Sequence, residues 1–329
     1  PSYRNIKRNY HIGEAMEKLI EISKNILKDC MGLKQDETLL VITDTLKEEI
    51  GCALYKAGLE MGCESLLMSM RARSVSGEEP PAAVAEAMLH ADVIVCPTEE
   101  SLTHTNAKIK AAERGARIGT MPGITKEMFT QGAITADFTE VERRTKELTE
   151  MLTCAKNARI EKDGCVMTFD LTGRKGVPST GVYKNPGEAG NLPSGEAYIA
   201  PLENGVNGEM IIDGSMVGIG TLTEPLYVAV ENGQLKSLKG AGAEELGILF
   251  EKPENGVVAE LGIGTNEKAL LCGNTLEDEK VYGTVHIAFG TNTSFGGINK
   301  ADCHMDGIIL KPTLYIDDRL VIQDGEFTD

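Results

Sequence analysis

The first half of the chain alternates between two hydrophobic periods. Short apolar runs predict strands, and the segments between them carry apolar residues at helical spacing. The predicted strands are ETLLVITD, SLLMSM, DVIVCPT and ARIGTMPG. Because strands and helices alternate and the strands are continuously apolar, this half predicts a parallel sheet covered by helices on both faces.

A long amphipathic helix precedes the first predicted strand. Its apolar residues recur along one face, and Gly32 follows as a stop signal. These apolar residues are Ile12, Met16, Leu19, Ile20, Leu27 and Cys30. A charged helix, TEVERRTKELTEMLTCAKNA, ends this half of the chain. We therefore predict an α/β, Rossmann-like domain over residues 1–156.

The composition and the apolar pattern of the sequence change beyond Ala158. Glycine and proline become frequent, and short β-branched runs such as CVMTFDL, LYVAVENGQL and VHIAFG appear. The pairs Asn232-Gly233 and Asp324-Gly325 are typical of hairpin turns. This half predicts a β-rich, α+β domain over residues 157–329.

Composition and charge exclude several classes of partner. The formal net charge of -17 opposes binding to a phosphate backbone, so neither nucleic acid nor an anionic membrane is expected as a partner. No apolar run is long enough to span a bilayer, and the first residues lack a secretory signal, so we expect a cytoplasmic protein. The eight cysteines are scattered without a CxxC pair, which indicates reduced thiols.

The candidate chemistry lies in the second half. His304 and Asp306 are two residues apart, so in an extended segment both side chains lie on one face and can share an ion. His286 opens the strand-like run HIAFG, and Glu260 lies in the strand-like run VVAELGIG. Imidazoles with carboxylates suit zinc, cobalt, manganese or ferrous iron and do not match a thiolate-rich structural zinc site.

Neighbouring motifs have simpler interpretations. The segment GIGTN, with Gly262 and Gly264, lacks the third glycine of a dinucleotide-binding fingerprint and is interpreted as a tight turn beside the metal. The acidic run of residues 277–279 is interpreted as a solvated loop, although it offers further ligands. Lys280 is interpreted as a surface lysine, with an electrostatic role at the site as the alternative.

Four blocks in the second half resemble, in order, the aminopeptidase T family of metallopeptidases and its shorter leucyl aminopeptidase-like relatives. Dihydroxypyridine dioxygenase, a ferrous ring-cleaving enzyme, is a distant member of the same group. The blocks are NLPSGEAYIAP, VVAELGIG, LEDEKVYGTVHIAFG and CHMDGIIL. The resemblance implies a homo-oligomer, expected to be a dimer, and one or two divalent ions. The ligands that it implies are Glu196, Glu260, His286, His304 and Asp306.

Three functional hypotheses follow from this resemblance. The leading one is a hydrolase of an amide or peptide-like bond in a small molecule or short peptide, with a metal-activated water and Glu196 as tentative general base. The alternative is a mononuclear ferrous dioxygenase in which His286, His304 and an acid hold the ion. The third is a non-catalytic binding protein. Thr293 stands where the peptidases have a tyrosine, which weakens the first hypothesis.

Overall fold

The computed structural model describes residues 3–328, and the side chains of residues 13–328. Within these ranges no helix combines the length and the apolar character that crossing a membrane requires. The eight cysteines are free thiols. The side chain of Ile12, which the first predicted helix includes, lies outside the described residues.

Strands and helices alternate through the first five α-helices, and strands predominate after the sixth. The strands are β1 (Thr38–Asp44), β2 (Glu64–Met70), β3 (Val93–Thr98), β4 (Arg117–Pro122), β5 (Asn157–Lys162), β6 (Cys165–Asp170), β7 (Val177–Ser179), β8 (Ala189–Asn191), β9 (Glu196–Ile199), β10 (Val206–Ile212), β11 (Ser215–Met216), β12 (Gly220–Thr221), β13 (Leu226–Glu231), β14 (Gln234–Gly240), β15 (Val258–Gly264), β16 (Val285–Gly290), β17 (His304–Ile309), β18 (Thr313–Ile316), β19 (Arg319–Gln323) and β20 (Glu326–Phe327). The α-helices are α1 (Tyr3–Asn25), α2 (Glu48–Glu60), α3 (Ala82–Met88), α4 (Asn106–Glu113), α5 (Lys126–Thr130), α6 (Phe138–Cys154), α7 (Ala243–Leu249) and α8 (Thr275–Asp278). Shorter helical turns are a π-helical turn at Ile26–Cys30 and 3-10 turns at Gly132–Thr135, Pro253–Gly256 and Thr293–Phe295.

The first compact unit runs to Phe138 and also includes Gly181–Pro193. Its sheet has the strand order β2-β1-β3-β4-β8, and all its strand pairs are parallel. The residues of β3 are buried throughout, as expected for a strand covered on both faces. The predicted α/β domain with a parallel sheet is therefore confirmed. The short strand β8 was not predicted, because AGN carries no apolar run.

The second unit comprises Thr139–Thr180 and the chain from Ser194 onward. It contains two sheets whose strand pairs are antiparallel. One has the order β14-β13-β10-β6-β5-β18-β19-β20, and the other β12-β11-β17-β16-β15-β9-β7. Apolar side chains from both sheets share one core, so each sheet buries one face against the other. The predicted β-rich domain is confirmed.

Two predicted hairpin turns occur where the turn chemistry placed them. Asn232 and Gly233 join β13 to β14 with φ values of 50° and 74°, and Asp324 and Gly325 join β19 to β20 with φ values of 50° and 87°. Both pairs adopt the left-handed conformation that two-residue hairpins favour.

The position of the boundary between the units differs from the prediction near residue 157. Helix α6 directs Leu148 and Leu152 into the core of the second unit, and the division falls at the start of this helix, between its first residue Phe138 and Thr139. Its charged, amphipathic sequence does not show which of the two cores receives the apolar face.

Candidate metal centre

The central strands of the seven-stranded sheet alternate between two kinds of side chain. Odd-numbered residues such as Leu261, Ile287 and Ile309 enter the shared core. Since successive strand residues point to opposite faces, the even-numbered residues lie on the other face, in β15 from Glu260 onward, after a register shift that leaves Val258 in the core. The five candidate ligands are all even-numbered and lie on β9, β15, β16 and β17. The sheet therefore collects onto one face residues that are distant in the sequence.

The register brings two of the acids into one row. Glu260 pairs with Ala288, and Ala288 pairs with Asp306. Paired residues of adjacent antiparallel strands point to the same face. The small side chain of Ala288 leaves space between the two carboxylates, and His304 pairs with Gly290 next along the same face.

A second row depends on glycines. His286 pairs with Gly262, and Glu196 pairs with Gly264. A Cβ added to Gly262 would lie 2.0 Å from His286 Nε2, so the imidazole lies directly over this glycine. The interpretation of GIGTN as a turn is therefore wrong for Gly262 and Gly264, which are strand residues of β15. Gly262 instead leaves room for the imidazole.

The five side chains converge around Glu260. Its Oε1 lies 3.3 Å from His286 Nε2, and its Oε2 lies 3.3 Å from His304 Nε2. His304 Nε2 is also 3.5 Å from Asp306 Oδ1, and His286 Nε2 is 3.3 Å from Glu196 Oε2. Two triads that could each hold an ion share Glu260: one includes Glu196 and His286, and the other includes His304 and Asp306.

Burial divides the cluster into an inner and an outer part. His286 is fully buried, and Glu196 is 5% exposed. His304 is 29% exposed, so the triad of Glu260, His304 and Asp306 lies at the side that solvent reaches. The tautomer of His304 follows from its contact with Thr291, whose carbonyl oxygen lies 2.8 Å away and accepts a hydrogen bond from Nδ1. Nε2 is therefore directed to the carboxylates.

The carboxylates shift the pKa values of both imidazoles. Burial lowers the pKa of His286, but its hydrogen bonds to Glu196 and Glu260 outweigh burial and raise that pKa to about 10. Burial likewise opposes the shift at His304, where Asp306 and Glu260 raise the pKa well above its usual range. Without a bound cation, both imidazoles hold protons at neutral pH and offset the negative charge of the acids.

The donor atoms fit a divalent cation. Asp306 Oδ1 and Glu196 Oε2 are buried, and each has only a long contact to an imidazole nitrogen among the described residues, at 3.5 and 3.3 Å, while His286 Nδ1 has no hydrogen-bond partner there. Buried polar atoms in folded proteins are usually well hydrogen-bonded, and a bound cation would satisfy the two carboxylate oxygens. Carboxylate oxygens and imidazole nitrogens within 4.8 Å of one another, with no thiolate, suit a catalytic first-row metal.

Lys280 lies within the cluster, the position that the sequence offered only as the alternative to a surface lysine. Its side chain is 0% exposed, and its Nζ donates to Glu196 Oε1 at 2.9 Å and to Glu279. The interpretation of Lys280 as a surface lysine is wrong. Burial raises the pKa of Glu279 well above its usual range, with Lys280 opposing the shift and Asp306 adding to it.

The acidic run before β16 is also buried. Asp278 accepts hydrogen bonds from Ser215 Oγ at 2.6 Å and from the backbone N–H of Cys272 at 2.7 Å. The interpretation of residues 277–279 as a solvated loop is therefore wrong. Asp278 fixes the short helix α8, which ends immediately before Glu279 and Lys280.

An aromatic pair lies beside the exposed histidine. The ring of Phe295 is 5.8 Å from that of His304 and 5.3 Å from that of Tyr198, with edge-on geometry in both cases. Glu203 anchors the loop that carries Phe295, since its carboxylate accepts from Ile298 N at 2.7 Å. The outer triad therefore has an aromatic wall.

Comparisons with known proteins place this arrangement in a family. The family model described as 2,5-dihydroxypyridine 5,6-dioxygenase matches residues 18–329. The chain belongs to this family. A 2,5-dihydroxypyridine 5,6-dioxygenase of Pseudomonas putida is 25% identical over 166 residues, which are 46% of this chain and 47% of that protein. The match thus spans about half the length of this curated relative.

Two solved structures share the fold of this member of the dioxygenase family. The 2,5-dihydroxypyridine dioxygenase of Pseudomonas putida KT2440 superimposes with a TM-score of 0.82 at 19% identity, over 94% of this chain and 96% of that one. Wild-type AmpT, an aminopeptidase T from Thermus thermophilus, gives a TM-score of 0.67 at 15% identity, over 95% and 99%. The aminopeptidase T-like fold that the sequence blocks implied is confirmed.

Membership of the dioxygenase family corrects the leading functional hypothesis. The hydrolase interpretation is wrong, because the family model covers nearly the whole chain and the curated relative carries the same dioxygenase description. The chain is an enzyme, as predicted. The error has a physical cause: the five candidate ligands suit a hydrolytic ion and an oxygen-binding ion equally well.

Proposed function

We propose that this protein is a mononuclear ferrous dioxygenase that opens the ring of a dihydroxylated pyridine or a similar hydroxylated nitrogen heterocycle. The arrangement of Glu260, His304 and Asp306 on the exposed side of the cluster is the observation that carries the proposal. Non-heme iron oxygenases typically hold iron with two histidines and one carboxylate and leave other positions open. The outer triad offers the same donor types with one histidine and two carboxylates.

We place the ion against the outer triad for two reasons. His286 is fully buried, and its Nε2 faces two carboxylates, whereas the side chain of His304 is 29% exposed, so an ion beside it would lie nearer to solvent, oxygen and substrate. Lys280 already occupies Oε1 of Glu196 in the inner part. This choice differs from the two-histidine set that the sequence suggested, and it leaves His286 beside the ligand Glu260.

A ferrous ion held there supplies the oxygen binding and one-electron chemistry that protein side chains lack. The protein residues orient the ligands and manage protons. The Thr291 carbonyl holds His304 with Nε2 directed inward, and His286 orients Glu260 through the 3.3 Å contact. Without a bound ion, the carboxylates of Glu196 and Glu260 outweigh burial and raise the pKa of His286 to about 10, so its Nε2 holds a proton between them.

The role of Glu196 as general base receives less support than its role as a charge partner. Burial favours the neutral acid, but Lys280 and His286 outweigh it and lower the pKa of Glu196. A carboxylate with a lowered pKa is a weaker proton acceptor. We therefore assign Glu196 to the inner charge network of the centre.

An aromatic substrate suits the surroundings of the outer triad. The edges and faces of Phe295 and Tyr198 favour contact with a planar ring, whereas a flexible peptide gains little from them. A small-molecule substrate, a homo-oligomeric assembly and a cytoplasmic location remain predictions from the sequence.

The test is an oxygen-consumption assay. Protein purified without oxygen is loaded with ferrous iron, offered 2,5-dihydroxypyridine and exposed to isotopically labelled oxygen. We expect one molecule of oxygen to be consumed per substrate, with both labelled atoms in a ring-opened product. The His304→Ala variant serves as background, and leucyl amide is offered in parallel. Oxygen uptake no faster than that of the His304→Ala variant would refute the proposal.

A further inference from the structure

Lys280 is a cation built into the acidic cluster. Its side chain is fully buried, and its ammonium group contacts one carboxylate from β9 and one from the residue beside it, Glu196 and Glu279. A buried ammonium is costly unless opposite charges surround it, so its presence shows that the acids need a cation at this point.

The ammonium group also lies close to the inner triad. Nζ lies 2.9 Å from Glu196 Oε1, within hydrogen-bonding distance. The oxygen of Glu196 that faces His286 and is left for an ion is Oε2. Because both oxygens belong to one carboxylate, an ion at Oε2 would lie only a few ångströms from the ammonium group, and two cations that close repel strongly in a buried site. Lys280 therefore disfavours a second ion at the inner part of the cluster.

The charges lead to the same conclusion. Four carboxylates meet here, those of Glu196, Glu260, Glu279 and Asp306. With Lys280 and one divalent ion, three positive charges face four negative ones, and one proton completes the balance. Without the lysine, the same ion and proton leave one negative charge, and exchange of that proton for a second divalent ion would restore neutrality. A buried cluster favours the neutral combination.

We propose that Lys280 takes the place of a second divalent ion and thereby restricts this centre to one metal. The inner triad of Glu196, Glu260 and His286 keeps the donor atoms for a second ion. The positive charge of the ammonium group disfavours binding of an ion to that triad. Lys280 is thus a positioning residue that sets the number of ions, and through it the class of chemistry. The inference rests on the proposed metal site but not on the reaction.

The experiment counts ions. Wild type, Lys280→Gln, Lys280→Met and the charge-conserving control Lys280→Arg are stripped with chelator, loaded with excess manganous ion and freed of unbound metal by gel filtration. Plasma mass spectrometry gives metal per chain. Electron paramagnetic resonance separates a single manganous ion from two neighbouring ions, since two ions close together couple magnetically. Circular dichroism checks that each variant is folded.

We expect one ion per chain in wild type and in Lys280→Arg, and two coupled ions in Lys280→Gln and Lys280→Met. The Gln variant keeps a hydrogen-bond donor for Glu196 and Glu279, so at least one neutral variant is expected to fold. The double variant Lys280→Gln with Glu279→Gln removes one negative charge together with the positive one, and we expect it to return to one ion.

Each other result has a definite meaning. One ion in a folded Lys280→Gln variant, or two in wild type, would overturn the role of Lys280. A wild-type protein that binds no manganous, ferrous or zinc ion would overturn the proposed metal centre itself. One ion in wild type and two in Lys280→Gln, without oxygen consumption, would support the role of Lys280 and contradict only the proposed reaction.

Discussion

The imidazole of His286 lies over the backbone of Gly262, its partner across β15 and β16. A Cβ at position 262 would come within 2.0 Å of His286 Nε2, far inside van der Waals contact. The glycine therefore leaves the space in which this imidazole meets Glu260.

We predict that Gly262→Ala displaces His286 and weakens metal binding. The imidazole cannot keep its contact with Glu260 while a methyl group occupies its position. Loss of a group that orients a metal ligand typically costs roughly 10- to 100-fold in metal affinity. Titration of the chelated protein with a divalent ion measures the effect. Gly247→Ala is the matched control, because nothing lies within 4 Å of a Cβ there. Equal metal affinity in the two variants would contradict the prediction.

Substitution of a metal-binding side chain should abolish ion binding and leave the protein folded. We predict that His304→Ala and Glu260→Gln each abolish metal retention, because both residues belong to the outer triad. The core of the second unit lies on the other face of the sheet and keeps its contacts. Metal content and thermal melting are measured on both variants. His90→Ala, at an exposed histidine paired with Glu86, is the control and should retain metal.

Metal affinity should rise with pH. An ion at the outer triad must displace the proton on His304, whose pKa is raised well above its usual range, so binding near neutral pH should release about one proton per ion. Calorimetry in buffers of different ionisation enthalpy counts them. Identical affinity at low and high pH would rule out this exchange of protons for metal.

The stability of the metal-free protein should change with pH in the opposite direction. The pKa of His286 rises from 6.5 to about 10 on folding, so its stabilising contribution is fully present below pH 6.5. That contribution is lost as the pH rises through about 10. Thermal melting of chelated protein should therefore show a decline from this group across that window, and His286→Asn should flatten it.

The aromatic wall should matter for substrate more than for metal. We predict that Phe295→Leu weakens binding of a dihydroxylated pyridine, since a favourable aromatic contact is worth about 0.5–1.5 kcal/mol, or roughly 2- to 10-fold. The KM of the iron-loaded enzyme measures the loss. Ile298→Ala, in the same loop at a side chain that is 79% exposed, is the control. An unchanged KM in Phe295→Leu would place the substrate elsewhere.

The local pattern of apolar and polar residues was sufficient to predict most of the helices and strands. Four of the five strands of the parallel sheet and the hairpins at Asn232 and Asp324 follow from periodicity and turn chemistry, which depend on residues close in sequence. The helix face containing Leu19 and Leu27 was predicted correctly, and both residues are buried. Strand β8 was not predicted because its three residues, Ala, Gly and Asn, show no apolar periodicity.

The alternation along two strands is visible in the sequence and marks the functional face. In β15 and β16 the odd-numbered positions are apolar, whereas Glu260, Gly262 and His286 occupy even-numbered ones. A period of two shows that only one face of each strand packs into the apolar core and that the other face carries different side chains. The same period identifies these glycines as strand residues on the functional face, which their interpretation as a turn overlooked.

By itself, the sequence determined the fold class and the five candidate ligands, because each depends on a local period or on an ordered set of short motifs. Tertiary structure decided the rest. Lys280 meets Glu196 across a separation of 84 residues, and only the folded sheet brings that pair together and buries it. A lysine is exposed in most contexts, and only carboxylates that arrive from other strands make its burial favourable. Which ions the acids accept is therefore a property of charges that meet in space, and no local pattern contains it.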